Sequence, residues 1–264
     1  MIILLCLMLS AALSLAETVE ERGKRVVNEA LTALGGDRFL AMTDRVESGR
    51  VYSFYREEIA GLSVAKIYTR YLRRPDNAGP DWIGVEERQT FGRDEYSAIL
   101  FTGGKGYEIT FRGARPLPDA IVERFRLSTL CDVFYILRQR LQKEDLILES
   151  RGADIYQGEP IEVVDITDAQ NRTVTVYFDA SSKLPIREVF YRRDSKTRER
   201  IEENVEYGKY RDVGQGVLWP YYILKTRNGE RVYQIFSDSV VINLGLKDSL
   251  FTLPPDIKIL KKQD

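Results

Sequence analysis

The spacing of apolar residues predicts a capped helix at the start of the chain. Thr18 and Glu21 have the spacing of a capping box, in which each side chain pairs with the other residue's backbone N–H. Apolar residues then recur at helical spacing through residues 19–34, and the glycine pair 35–36 is expected to end the helix. Residues 37–42 are expected to add one more turn.

From Val46 onward the period changes to two, which is the period of a β-strand. In the run 107–112, for example, aromatic and aliphatic residues alternate with polar ones, as in an antiparallel sheet with one solvated face. The pattern predicts about eleven strands. They cover residues 50–55, 64–72, 97–101, 107–112, 161–166, 172–178, 186–192, 201–210, 221–226, 231–236 and 240–242.

One helical segment interrupts the strands. Residues 119–143 keep apolar side chains at helical spacing, and Ser128 with Thr129 is a place where this segment would divide into two helices. Such an insert either caps the end of a barrel or covers the apolar face of the sheet.

Residues 1–16 are almost entirely apolar and end in Ser14, Leu15 and Ala16, the small residues that a signal peptidase requires. The run is shorter than the roughly 20 residues that a membrane-spanning helix needs. We therefore expect an exported protein with a signal peptide over residues 1–16. The absence of a linker rich in proline, glycine or serine predicts one domain over residues 17–264.

Composition excludes several kinds of active site. The chain has 39 basic and 40 acidic residues, which argues against nucleic acid as a partner. It has no histidine, and after cleavage Cys131 is the one cysteine left. Serine–histidine and cysteine–histidine nucleophiles, histidine metal sites and thiolate zinc sites are therefore excluded. Catalysis by carboxylates remains open, but neighbours such as Glu57 and Glu58 on a strand point to opposite faces.

Two further motifs have structural explanations. The segment 102–106, Thr-Gly-Gly-Lys-Gly, is similar to a phosphate-binding loop, but a strand rather than a helix follows it, so a hairpin turn is favoured. The charged run 192–200 fits an exposed hairpin tip, and docking of a partner protein is the alternative.

Aromatic residues are abundant, with fifteen tyrosines, eleven phenylalanines and two tryptophans. A packed core explains those that lie on strands. A wide curled sheet with two apolar-faced helices also encloses more volume than side chains fill, as in larger barrels that hold ligands. Both explanations remain open on composition alone.

The order of several short motifs resembles the outer-membrane lipoprotein-sorting proteins of the Lol-type lipoprotein carrier superfamily. The helix ending in two glycines, the turn 101–107 and the insert that follows Arg-Pro-Leu-Pro at 115–118 have that order. Further resemblance lies in the strand, turn and Leu-Pro-x-Arg strand of residues 174–187, the segment 207–220, the closing strand 241–246 and Phe-Thr-Leu-Pro at 251–254.

This resemblance implies a mainly β (α+β) fold: an unclosed antiparallel β-barrel of about eleven strands, covered by the N-terminal helix and the helical insert. It also implies a periplasmic, non-catalytic carrier or sensor with a hydrophobic cavity for acyl chains, and no cofactor or metal. The implied partners are a lipid or acylated lipoprotein and a membrane-associated donor or acceptor protein. The chain is longer than the well-studied carriers, and their lid-latching arginine has no clear counterpart in it.

Strand parity predicts which residues line that cavity, and helical spacing predicts which residues cover it. The predicted lining is Tyr52, Phe54, Ile67, Tyr71, Tyr107, Ile109, Phe111, Val174, Val176, Phe178, Tyr222 and Leu224, covered by Val133, Phe134 and Leu137. A register slip of one residue would exchange the faces. The alternative functions are a protein-interaction module with a filled core and, less favoured, a hydrolase that uses Asp and Glu.

Overall fold

The computed structural model describes residues 17–194 and 196–262. The predicted signal peptide, residues 1–16, lies outside the described residues. Within the described ranges, no helix is both long enough and apolar enough to cross a membrane.

The helices are few and short, apart from the first and the one that opens the insert. They are α1 (Val19–Ala33), α2 (Asp37–Leu40), α3 (Asp119–Cys131), α4 (Val133–Tyr135), a π-helical turn (Ile136–Arg140) and a 3-10 turn (Asp248–Leu250). The capping box of Thr18 and Glu21 is present, so the predicted helix start is confirmed. We call residues 119–140, which contain α3, α4 and the π-helical turn, the helical insert.

Thirteen strands make up the rest of the fold. They are β1 (Asp44–Tyr55), β2 (Glu58–Tyr71), β3 (Val85–Phe91), β4 (Ser97–Thr102), β5 (Lys105–Thr110), β6 (Gly113–Pro116), β7 (Ile147–Tyr156), β8 (Glu159–Thr167), β9 (Thr173–Asp179), β10 (Pro185–Arg193), β11 (Arg200–Asp212), β12 (Leu218–Arg227) and β13 (Glu230–Ile242).

All strands belong to one antiparallel sheet, in the order β6-β5-β4-β3-β2-β1-β13-β12-β11-β10-β9-β8-β7. Among the thirteen strands, the first half of the chain pairs with its second half at β1 and β13. The edge strands β6 and β7 do not pair with each other, so the barrel is unclosed, and the predicted fold class is confirmed.

The strand prediction differs from the structure in four places. Residues 231–236 and 240–242 belong to the single strand β13, and three strands, β3, β6 and β7, were not predicted. In β3 the reason is charge: its sequence Val-Glu-Glu-Arg-Gln-Thr-Phe hides the alternation, because Glu86 is buried in an ion pair with Arg70.

The helical insert divides at Asp132, and the predicted division at Ser128 and Thr129 is wrong. The Thr129 hydroxyl donates to the carbonyl of Phe125 at 2.9 Å, one turn back, so α3 continues past it. Asp132 has an extended backbone, and its carboxylate accepts the N–H of Tyr135 at 2.8 Å as the N-cap of α4.

The sheet has an inner face, which packs against α1 and the insert, and an outer face. Directly paired residues on neighbouring antiparallel strands share a face. Val176, Glu188 and Val205 pair in this way across β9, β10 and β11 and point inward. By the same pairing Val51 of β1 points inward, and Tyr52 therefore points outward.

The main core cluster lies between the inner face of β8 to β12 and the helices. It contains apolar residues of α1, of the insert and of these strands, including Val27, Leu34, Phe134 and Phe178. Gly23 of α1 allows the close approach to β7, since a Cβ atom there would lie 2.4 Å from the carbonyl oxygen of Leu148. The helix therefore packs directly against the sheet edge.

The C-terminal segment covers the outer face of the first half of the sheet. Phe251 is fully buried there with Val46, Tyr68 and Leu100. The segment continues to the edge strand β6, where Ile259 forms a parallel bridge with Ala114. This segment thus protects an edge that would otherwise be free to pair with another chain.

Candidate functional site

The helical insert spans the inner face from the first half of the sheet to the second. At one end Phe125 of α3 stacks on Phe101 of β4, with 3.8 Å between the ring centroids and 2° between the planes. At the other end Cys131 and Val133 are buried in the main core cluster. The insert therefore lies where a cover over the interior of the barrel would lie.

The inward side of the insert is apolar and fills the space beneath it. Phe134 packs edge-on against Tyr207 at 5.0 Å and tilted against Trp219 at 4.7 Å between ring centroids. Val133 and Leu137 are fully buried on either side of it. The sheet residues of this floor are Val164, Ile166, Val174, Val176, Phe178, Phe190, Val205, Tyr207, Trp219 and Tyr221.

Hydrogen bonds fasten the middle of the insert to the strands. The backbone N–H of Val133 donates to the Glu188 carboxyl at 2.8 Å, at a buried position on the inner face of β10. The N–H of Gly84, in the β2–β3 loop, donates to the hydroxyl of Tyr135 at 2.9 Å. The insert is thus held by a few polar contacts around an apolar centre.

Two carboxyl groups lie close together beneath the insert. Burial raises the pKa of Glu188 well above its usual value, and the neighbouring charge of Asp132 raises it further. Burial also raises the pKa of Asp132, although its hydrogen bond from the N–H of Tyr135 favours the ionised form. A protonated Glu188 relieves the repulsion between these two groups without losing its carbonyl oxygen as an acceptor for Val133.

A buried ion cluster holds the end of the insert. Asp168 is almost fully buried and accepts from Arg140 at 2.8 Å and from Arg172 at 2.7 Å. Burial disfavours the charged form of Asp168, but the hydrogen bonds from the two arginines outweigh it and lower the pKa. Arg140 also donates to the carbonyl of Leu130 at 2.6 Å, which closes the insert on itself.

Two neighbouring buried donors of the interior, Nε of Arg45 and Nε1 of Trp219, have no hydrogen-bond partner among the described residues. The guanidinium of Arg45 stacks on the ring of Trp219 at 4.0 Å, and its Nη2 donates to Thr69 at 3.1 Å. Because unpaired buried donors are costly, their presence around Phe134 marks a place where a carbonyl or hydroxyl of a ligand would be stabilised.

Eight of the fifteen predicted site residues lie on the inner side of the sheet. Val133, Phe134 and Leu137 of the insert meet Val174, Val176 and Phe178 of β9 in the main core cluster. Tyr71 of β2 packs against the same cluster. Ile67, also on β2, points inward as well.

Six of the predicted residues lie on the outer face. Tyr52 and Phe54 of β1, with Tyr222 and Leu224 of β12, point outward, and Tyr52 and Tyr222 both contact Phe236. Tyr107 and Ile109 of β5 pack beneath the C-terminal segment.

Phe111 lies in the turn after β5 and is 90 % exposed. The fifteen residues therefore do not share one surface. Contact of any of them with lipid stays a prediction.

Sequence reasoning missed the polar residues of the interior. Glu188 and Asp132 fasten the insert, and Arg45 and Trp219 lie beside Phe134. On β10 apolar residues occupy both faces, so alternation does not show that Glu188 points inward. A single charged residue at an inward position has no sequence signal of its own.

Two surface pockets lie at the margins of this interior. One, of about 470 Å³, is between α1 and Lys183 and is lined by residues such as Arg25 and Thr32. The other, of about 280 Å³, is lined by Leu127, Arg172 and their neighbours at the far end of α3. Within residues 17–194 and 196–262, no group of three acidic or cysteine side chains is arranged to hold a metal ion.

No protein-family model matches the sequence, and no curated protein does. Solved structures do match. A putative outer membrane lipoprotein-sorting protein domain from Vibrio parahaemolyticus is 10% identical, with a TM-score of 0.56 over 88% of this chain and 97% of that one. A DUF1329 family protein from Desulfovibrio piger is 12% identical, with a TM-score of 0.56 over 87% and 96% of the two chains.

A LolA superfamily protein from Nitrosomonas europaea is 13% identical, with a TM-score of 0.53 over 87% of this chain and 97% of that one. Identity at this level establishes the shared fold and nothing about cargo. The resemblance inferred from the sequence motifs is thus confirmed at the level of architecture: this chain has the fold of the lipoprotein-sorting and LolA superfamily proteins.

Proposed function

We propose that this protein is a periplasmic, non-catalytic carrier or sensor that binds acyl chains of a lipid or lipoprotein on the inner face of its sheet. The observation that carries the proposal is the contact of Phe134 with Tyr207 and Trp219. In these contacts the apolar side of the helical insert packs against the apolar floor of the interior, and the proposal requires that the insert can move away from it. The insert then acts as a cover that occupies the acyl site in the closed state.

Burial of an acyl chain offsets part of the cost of displacing the insert. Opening the cover exposes buried side chains such as Val133, Phe134 and Leu137, at about 1.5–3 kcal/mol each, and also breaks polar contacts of the insert. An acyl chain with about fifteen methylenes gains roughly 12 kcal/mol on leaving water, at about 0.8 kcal/mol each. The gain grows with the number of methylenes buried, so a longer acyl chain, or two chains together, compensates for more of this cost.

The unpaired donors provide the polar part of such a site. Nε of Arg45 and Nε1 of Trp219 lie at the border between the apolar floor and the polar inner face of β1. The carbonyl of an acyl ester or amide is an acceptor of the kind these donors lack.

Uptake of a fluorescent acyl probe by protein purified without detergent tests the proposal. Phe134→Ala weakens the closed state, so we expect the variant to bind the probe at least tenfold more tightly than the wild type. Phe251→Ala is the matched control, since Phe251 is equally buried but lies on the outer face. It is expected to lose stability without any change in probe affinity.

Failure of the wild type and of Phe134→Ala to bind any probe, with no lipid detected by native mass spectrometry, would rule the proposal out. In that case the filled interior favours the alternative, an interaction module of the same fold. Deleting residues 194–199 at the charged β10–β11 tip is then expected to abolish binding to its partner protein, with probe uptake absent throughout.

A further inference from the structure

Two arginines pair with a single glutamate at one end of the inner face, and the charge of a third arginine, Arg124, interacts with theirs. Glu203 of β11 pairs directly with Arg227 of β12, and both side chains point inward. Arg192 of β10 lies two residues after the inward-pointing Phe190 and therefore also points inward. Nε of Arg192 lies 2.7 Å and Nε of Arg227 lies 3.1 Å from the same oxygen of Glu203. This contact engages Nε of each arginine and leaves the donors on the other edge of each guanidinium group unpaired with Glu203.

Arg124 of the helical insert interacts electrostatically with this group. The charges that act on it most strongly are, in order, those of Arg227, Arg192, Glu203 and Asp194. Over residues 17–194 and 196–262, however, no carboxylate comes within ion-pair distance of Arg124 (4 Å or less), although the residue is half-buried. Burial, and then the two neighbouring guanidinium groups, lower the pKa of Arg124.

The charges of this arginine cluster do not balance. Arg124, Arg192 and Arg227 bring three positive charges, and Glu203 brings one negative charge, which leaves an excess of two. The adjacent segment 194–200 adds three basic and two acidic residues, so it does not neutralise the excess. Half-buried like charges repel one another, and an anion that enters the cluster would relieve that repulsion.

The arginine cluster borders the apolar interior. Phe190 pairs directly with Glu203, and Phe190 and Val205 both belong to the main core cluster. On the insert, Leu127 follows Arg124 by one turn and packs against the same cluster. A cationic end and an apolar floor are thus continuous within one surface.

We propose that Arg124, Arg192 and Arg227 bind a phosphate group, and that its source is the headgroup of an anionic phospholipid whose acyl chain enters the apolar interior. Guanidinium groups are suited to phosphate because their planar donor edges match its oxygens in bidentate pairs. This inference rests on the proposed function and specifies its ligand class. Free phosphate shares the chemistry and is separated from the lipid by the test.

Three ligands separate the possibilities: inorganic phosphate, dioctanoyl phosphatidylglycerol below its micelle concentration, and dioctanoylglycerol, which lacks the phosphate. Arg124→Gln breaks no ion pair within the described residues, so the fold should remain intact. We expect it to weaken phosphatidylglycerol binding about tenfold and to leave dioctanoylglycerol binding unchanged. Arg50→Gln is the matched control, because Arg50 is exposed on the outer face.

Glu203→Gln tests the same site in the opposite direction. It removes the negative charge and leaves an amide oxygen for the two arginines, so we expect phosphatidylglycerol to bind several-fold more tightly. Circular dichroism and thermal unfolding of each variant show whether the fold is retained.

The outcomes are distinct. Arg124-dependent binding of phosphatidylglycerol, with weak phosphate binding, supports the lipid headgroup. Arg124-dependent binding of phosphate without any preference for the lipid supports the anion site with free phosphate as its source. If neither affinity changes in Arg124→Gln and Glu203→Gln, the inference is overturned. Binding of dioctanoylglycerol reports separately on the proposed function, which therefore stands or fails independently.

Discussion

Glu188 offers a direct test of how the helical insert is held. Its carboxyl is buried on the inner face and accepts the N–H of Val133 at 2.8 Å, next to Asp132. In Glu188→Gln the amide carbonyl accepts the same hydrogen bond from the N–H of Val133, but the side chain is neutral at every pH. The substitution therefore removes titration while it leaves the contact in place.

The sign of the pH effect follows from the raised pKa. The unfolded chain titrates Glu188 near the usual value of 4.5, whereas burial and then the charge of Asp132 keep it protonated to a higher pH in the folded protein. Between these two values the folded state binds more protons, so the free energy of unfolding falls as the pH rises. One proton contributes a slope of about 1.4 kcal/mol per pH unit within that window.

The difference between the two proteins isolates this effect. Guanidinium unfolding is measured from pH 4 to pH 9 for wild type, Glu188→Gln and an exposed control, Glu108→Gln. We expect Glu188→Gln to gain stability relative to wild type as the pH rises above about 4.5, and the control to run parallel to wild type. Parallel curves for wild type and Glu188→Gln would refute the reasoning, because the buried carboxyl would then have no raised pKa.

Three further predictions concern other parts of the fold. Asp168→Asn removes the most buried carboxylate that pairs with Arg140 and Arg172, leaves Glu144 as the remaining partner of Arg140, and should cost about 1.5–3 kcal/mol of unfolding free energy. That difference should shrink as the pH falls below 3.8, because the lowered pKa of Asp168 makes its contribution vanish in acid. Phe251→Ala should cost about 3–5 kcal/mol in denaturant titration, and an unchanged midpoint would contradict its burial. Burial raises the pKa of Cys131 to about 12, so a thiol reagent at pH 8 should label it only in denaturant, and rapid labelling of native protein would contradict this.

The elements that the sequence predicted well have local causes. The capping box of Thr18 and Glu21 fixes the start of α1 through contacts within four residues, so no tertiary information is needed. The division of the insert at Asp132 was missed, because whether Thr129 bonds backward within the helix or ends it depends on the packing around Cys131. The strand β3 was missed because the ion pair of Glu86 with Arg70 spans two strands.

The inner and outer faces were harder to predict than the strands themselves. On β9 the inward residues Val174, Val176 and Phe178 alternate with polar neighbours, and alternation alone gives their face. On β1 the aromatic residues Tyr52 and Phe54 point outward, because successive residues of a strand face opposite sides and Val51 points inward. Apolar residues identify the inward face of a strand only when the inward face alone is covered. Here the C-terminal segment and Phe236 also cover parts of the outer face.

The two halves of the inner face differ in chemistry, and this constrains any cargo. Apart from Glu188 and the arginine cluster, the floor formed by β8 to β12 is apolar, whereas the inner face of β1 and β2 carries Arg45, Glu47 and Thr69, all buried. Desolvating such groups against an acyl chain costs several kcal/mol unless they find hydrogen bonds. An acyl chain is therefore favoured along the apolar part of β8 to β12, which has the arginine cluster at one end and the polar inner face of β1 and β2 beside it. A cargo with both parts, such as an acylated headgroup or an acylated polypeptide, fits this division better than a purely hydrocarbon ligand.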